Sequence, residues 1–286
     1  MSSKTTTPHD EMSFLDHLEV LRWHLIRSVL AVVIIGTIAF LMKDFVFDTV
    51  IFGPKKMDFP TYRVFCDIAT YFGFTSAFCA DKLPFTIQSR LMSGQFSAHI
   101  WTSMWAGFIV GFPYVLYEVW KFISPGLYEK ERRNSRGFIL IASLLFFMGV
   151  LFGYYIVAPL SINFLGSYQV SEEVTNEFDL ASYISTVRAS VIACGILFEL
   201  PIIIFFLTKV GIVTPEILKK YRKIALVVVL ILSAVITPPD VASQIIVAIP
   251  VLILYQVSIY ISAMVLRKER KKAKKTEKEK TDVKRN

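Results

Sequence analysis

The chain has 286 residues, 54% of them apolar, and a net charge of +8. Long uncharged runs at that composition argue against one or two soluble domains and predict a single polytopic membrane unit. Eleven of the 31 Lys and Arg residues lie in the last twenty positions, so the positive balance is a property of the tail and predicts no nucleic-acid partner.

Residues 1–22 are largely polar, with acids mixed in and no small-residue cleavage site, so no cleaved leader is predicted. Within them Phe14, Leu18 and Leu21 recur at helical spacing, with Asp16, Glu19 and Arg22 off that stripe. This pattern predicts a short amphipathic segment at a membrane interface before the first span. The first span covers about 23–42, bounded by Arg22 and Lys43. Residues 43–90 are more polar and broken by Pro54, Pro60 and Pro84, with one or two short helices expected over 62–79. Cys66 and Cys79 share this segment; a disulfide and two buried thiols are both open readings.

A second span is expected at about 94–116, with Pro113 inviting a kink. The loop 117–136 then carries Lys121, Lys130, Arg132, Arg133 and Arg136, which mark a cytoplasmic face. Ser124-Pro125-Gly126 predicts a turn there, because Pro presets φ and Gly permits positive φ. The third and fourth spans cover about 138–160 and 183–208. Between them the loop 161–182 has Glu172, Glu173, Glu177 and Asp179 and no cation, as an external loop should.

Residues 224–239 are the ambiguous stretch, since 16 residues at about 1.5 Å each reach only about 24 Å of a core about 30 Å thick. Thr237-Pro238-Pro239-Asp240 breaks any helix, and a further uncharged run follows over 241–266. Counting that stretch as a span places 24 of the 31 Lys and Arg residues on the cytoplasmic side and 7 outside. Five spans would instead put the cationic tail outside, so the expected fold is all-α with six transmembrane helices and both termini cytoplasmic. The organisation is then an N-terminal segment 1–22, a membrane domain 23–266 and a basic tail 267–286. The tail is expected to be disordered, with attraction to anionic membrane lipid as the alternative.

The sequence holds no Cys-x-x-Cys, no His-Glu-x-x-His, no phosphate-binding Gly-x-x-x-x-Gly-Lys and no Gly-x-Ser-x-Gly. An ATPase, a metalloprotease and a serine hydrolase therefore lack their minimal parts, and no catalytic residue, cofactor or metal is expected. Glu199 is the one acid deep inside a span. A charge at mid-bilayer costs about 2.5–3.5 kcal/mol on insertion scales, so Glu199 should face protein, water or a partner. A bond to a hydroxyl such as Ser233 is the purely structural alternative.

The run Trp120-x-Phe122-x-x-Pro125-x-Leu127-Tyr128-x-x-Glu131-Arg132-Arg133 resembles the first cytoplasmic loop of the TatC family, the multi-spanning receptor subunit of the twin-arginine protein translocase. His17-Leu18 with Leu21-Arg22 is similar to the family's N-terminal motif, but the family's glutamate falls at Val20 here, leaving Glu19 as the neighbouring acid. Phe198-Glu199-Leu200-Pro201 looks like the family's fourth span, and Thr237-Pro238-Pro239-Asp240 with Ala248-Ile249-Pro250 like its last external turn and sixth span. Gln256 stands where many relatives carry glutamate.

The resemblance implies a cupped six-span protein of the cell membrane. It implies binding of twin-arginine signal peptides on folded, Sec-independent cargo and transport driven by the proton motive force. The partners it implies are single-span TatA/TatB-type proteins and further copies within a receptor complex. On this reading the signal-peptide residues are Glu131 first, then Glu19, with Phe122, Tyr128 and Arg22 beside them. Glu199 is an intramembrane polar site, and Pro125, Pro238, Pro239 and Asp240 shape the turns. Carboxylates suit paired arginines because the planar guanidinium forms paired, charge-assisted hydrogen bonds. For Glu131 a local ion pair with Arg132, Arg133 or Arg136 is the alternative. A small-molecule secondary transporter is the competing function, although no internal repeat supports it.

Overall fold

The computed structural model describes residues 14–73, 79, 83–123, 135–171, 173–237 and 241–283. The chain divides into two compact units, 1–43 with 99–143, and 44–98 with 144–286.

The first unit is built on an antiparallel helix pair, α1 (Phe14–Leu41) and α3 (Gly94–Ile123). Their backbones approach closely where glycines face one another. A Cβ on Gly107 would lie 2.5 Å from the Val32 carbonyl and 2.7 Å from the Gly36 nitrogen. Small residues at such crossings permit the van der Waals packing that holds helices together in lipid, where no hydrophobic drive exists between them. Histidines pin both ends of the crossing. At one end the His99 ring stacks on Phe40 with centroids 3.9 Å apart, its Nε2 lying 3.0 Å from the Phe40 carbonyl. At the other, His24 Nδ1 lies 2.5 Å from Glu118 Oε2. Helix α1 runs unbroken from Phe14, so the N-terminal segment and the first span share one helix. Leu18 and Leu21, the described part of the predicted stripe, are exposed. Helix α3 likewise continues through Pro113.

The second unit contains α2 (Pro60–Tyr71), the start of α3, and β1 (Phe85–Gln88). The next helix, α4 (Ser135–Phe152), enters this unit partway along its length and leads into α5 (Ala158–Ser167), β2 (Asn176–Asp179), α6 (Leu180–Phe198) and α7 (Leu200–Lys209). The unit ends with α8 (Pro215–Lys220), α9 (Arg222–Ile236) and α10 (Val241–Val283). The all-α expectation needs one amendment: β1 and β2 pair in parallel, from Phe85 opposite Asn176 to Gln88 opposite Asp179. Phe85 and Phe178 pack edge to face at 5.0 Å, and Gln88 donates to Glu177 at 2.6 Å. A disulfide joins Cys66 to Cys79, settling the open reading of that pair in favour of the bridge.

Phe45–Ile51 and Gly153–Val157 are wound as π-helix. Wide or interrupted turns leave carbonyls without regular helical donors, and buried carbonyls must find a partner. Aromatic and small hydroxyls supply them. Tyr62 donates to the carbonyls of Pro54 and Pro159 at 2.8 and 3.1 Å, Tyr154 to Val50 at 2.9 Å, and Tyr183 to Ile51 at 2.9 Å. Thr61 donates to the Tyr155 carbonyl. Burial pushes the Tyr62 phenol well above its usual range, so it stays a donor. A second close crossing sets Gly149 and Gly153 against α6, where added Cβ atoms would lie 2.5 and 2.6 Å from the carbonyls of Cys194 and Ser190.

Among the described residues five stretches are long and apolar enough to cross a membrane: Leu18–Leu41, Gly94–Phe122, Gly137–Ser167, Leu180–Lys209 and Ser243–Lys268. Helix α9, at 15 residues, is the ambiguous stretch of the sequence and falls short at about 22 Å. It pairs with α10 through Val229, Ala248 and Val251 in one buried cluster and a 3.0 Å bond from Gln244 to the Leu230 carbonyl. Helix α7 joins α10 through Thr208 Oγ1 donating to Ser262 Oγ at 2.8 Å. Over 267–283, within the stretch 267–286 expected to be disordered, α10 continues as far as Val283. Lys, Glu and Ala are good helix formers, and interleaved opposite charges support a helix already started.

Candidate functional site

Because α1 and α3 run antiparallel, the N-terminal turns of α1 and the C-terminal turn of α3 share one end of the first unit. That end gathers the described signal-peptide candidates. Glu19 and Arg22 are exposed on α1, and Phe122 is half-buried at the end of α3. The His24 ring bridges them, its centroid 6.2 Å from that of Phe122 in an edge-on arrangement. Tyr128, Glu131 and Pro125 follow directly in the chain but lie outside the described residues, as do Pro238, Pro239 and Asp240.

The sequence reading missed the pair that organises this end. Glu118 is 3% exposed and bound by His24, with the Tyr114 hydroxyl as a second partner. It lies one helical turn before Phe122, so the two residues occupy one face of α3. A signal was present: an acid and a histidine each sit at the edge of an apolar run, where an unpartnered polar group is costly. Their separation of 94 positions hid the pairing.

Beside this pair an open cleft of about 400 Å³ is lined by Val20, Trp23, His24, Arg27 and Lys121. Val20, the position of the family's glutamate, is thus in the cleft wall, whereas Glu19 is not among its lining residues.

In the second unit Glu199 occupies the junction of α6 and α7, two residues before Pro201. It is 9% exposed, and its Oε1 is buried without a hydrogen-bond partner among the described residues. Ser233, the hydroxyl named as its structural partner, donates to the Val229 carbonyl at 2.9 Å instead. No group of three or more His, Cys, Asp or Glu side chains able to hold a metal occurs among the described residues.

A family model for TatC, Sec-independent protein translocase protein, matches residues 16–250. The TatC protein of Blattabacterium sp. subsp. Periplaneta americana is 46% identical over 261 residues, 91% of this chain and 98% of its own length. The TatC protein of Aquifex aeolicus is 33% identical over 260 residues, with the same coverage of both chains. A crystal structure of the twin-arginine translocase receptor TatC, determined in the detergent DDM, superposes with a TM-score of 0.66 at 34% identity, covering 86% of this chain and 99% of that one. The chain is a helical, multi-pass membrane protein that belongs to the TatC family of Sec-independent protein translocase components.

Proposed function

We propose that this chain is the signal-recognising subunit of a twin-arginine translocase, taking the signal peptide of folded cargo at the end of the α1–α3 pair. The observation that carries this reading is the convergence of Glu19, Arg22 and Phe122 at one end of an antiparallel pair, directly before the segment holding Tyr128 and Glu131. Glu131 is the main anion for the two arginines and Glu19 a smaller, partly redundant one. Phe122 packs the apolar residue that follows the arginines.

The topology that serves this role has six spans, with α9 as the fifth and both termini in the cytoplasm. Two independent features support it. The 24-to-7 division of Lys and Arg residues follows the positive-inside rule. The Cys66–Cys79 disulfide lies in a segment assigned outside, where thiols are kept oxidised. Transport then draws on the proton motive force across the cell membrane. Single-span TatA/TatB-type partners and further copies of this chain complete the receptor complex. Glu199 is the polar group inside the membrane that a partner or the signal peptide meets.

The test is a depletion strain carrying reporter cargo with Arg-Arg or Lys-Lys in its signal peptide. Export restricted to the Arg-Arg reporter, and dependent on this chain, is the expected result. Equal export of both would remove arginine recognition from its function.

A further inference from the structure

The cleft beside the His24–Glu118 pair has a chemistry of its own. Val20, Trp23, His24 and Arg27 fall at i, i+3, i+4 and i+7, so they form a single stripe on α1, and Lys121 of α3 closes the other side. Arg27 and Lys121 contribute two positive charges and Glu118 one negative. Counted over these described side chains, the cleft is cationic whether or not His24 is protonated. Among the described residues neither Arg27 nor Lys121 has a hydrogen bond or an ion pair, and both are exposed. Arg27 lies inside the first apolar stretch, Leu18–Leu41. A guanidinium there must reach water, a protein anion or a lipid phosphate, because the hydrocarbon offers it nothing. A cleft with these side chains suits an anion better than it suits the two arginines of a signal peptide.

We propose that this cleft is a binding site for an anionic phospholipid. Arg27 holds the phosphate through its planar donor fork, and Lys121 adds a point charge from the facing helix. Trp23 sits at the headgroup level, where an indole has one apolar face and one N–H donor. The acyl chains lie along the exposed apolar side chains of α1 beyond the cleft, such as Leu30 and Ile34. The topology proposed above decides only which leaflet supplies the lipid; the site itself does not depend on signal-peptide binding. A basic pocket between spans is a recurrent form of headgroup recognition.

Native mass spectrometry of the full chain, released from nanodiscs holding equal phosphatidylglycerol and phosphatidylcholine, tests this. The wild type should retain phosphatidylglycerol with a preference on the order of 30-fold, since each basic side chain near an anionic surface contributes about five-fold. R27Q or K121Q alone should each lower that preference about five-fold, and R27Q/K121Q should abolish it. K219Q, which removes an exposed cation elsewhere, should leave it unchanged. The charge-conserving pair R27K/K121R should keep most of it, which separates lost charge from lost folding. Equal retention of both lipids by the wild type would overturn the proposal, as would an undiminished preference in R27Q/K121Q. Displacement of the lipid by excess inorganic phosphate would also overturn it, by showing a simple anion site.

Discussion

Two acids among the described residues are buried, and they are satisfied in opposite ways. Glu118 in the first unit is held by His24 and Tyr114 and ties two helices together. Glu199 in the second unit keeps a buried oxygen with no partner, at a helix junction shaped by Pro201. A partnered buried acid earns its place through what it holds in position. One left without a partner costs free energy that nothing in the described chain returns. Glu118 thus has an architectural part in the described structure, whereas Glu199 is free for the transport role proposed above.

Removing Glu118 should give the largest effect. E118A leaves His24, whose side chain is 11% exposed, without its partner and should cost up to about 3 kcal/mol, the upper range for a polar group left unsatisfied. Thermal unfolding in detergent should show the loss, and E118Q, which keeps a hydrogen bond to His24, should recover most of it. An E118A protein as stable as the wild type would end the architectural assignment.

G107A acts on the same crossing without touching either acid. Its methyl must displace the Val32 carbonyl and the backbone of Gly36, so a destabilisation of about 1–3 kcal/mol is expected. Signal-peptide binding should weaken with it, because the crossing aligns the end that carries Glu19, Arg22 and Phe122. Unchanged binding by a folded G107A protein would uncouple the crossing from recognition.

T208V removes a hydrogen bond between two membrane helices of the second unit, α7 and α10. Such bonds average only about 0.6 kcal/mol, because partners in the unfolded membrane state compete. A loss above about 2 kcal/mol in the same unfolding assay would show that this unit depends on hydroxyl pairs more than on its close-packed glycines.

E199Q should have the smallest effect on stability, within about 0.5 kcal/mol, since no bond to Oε1 is lost. Transport in inverted vesicles should nevertheless fall while insertion and assembly persist. Wild-type transport by E199Q across a range of pH would place Glu199 beside Glu118 as a structural acid.

Much of this was legible in the sequence because it depends on composition along the chain. The five long spans, the short α9 and the isolation of Glu199 follow from runs of apolar residues and their interruptions. The Cys66–Cys79 bridge was one of two open readings, since a spacing of 13 within one loop allows a contact without requiring it. The His24–Glu118 pair and the β1–β2 ladder were not legible. Each joins positions about 90 apart, and the His24–Glu118 contact exists only once α1 and α3 have crossed. For α1 and α3 that crossing is made by Gly36 and Gly107, two residues with no polar signal to announce it. The helical course of 267–283 was missed for a different reason. A charged run with almost no apolar residue suggests a solvated chain, but α10 arrives already nucleated.

The most direct test of recognition at the α1–α3 end places a photoreactive side chain at position 122 and offers an Arg-Arg signal peptide to the purified receptor. The account predicts a crosslink in the wild type and in E199Q, a reduced one in E19A, and none in E131A, all at equal amounts of inserted protein. A crosslink in E131A as strong as in the wild type would contradict it and move the arginine site away from Glu131.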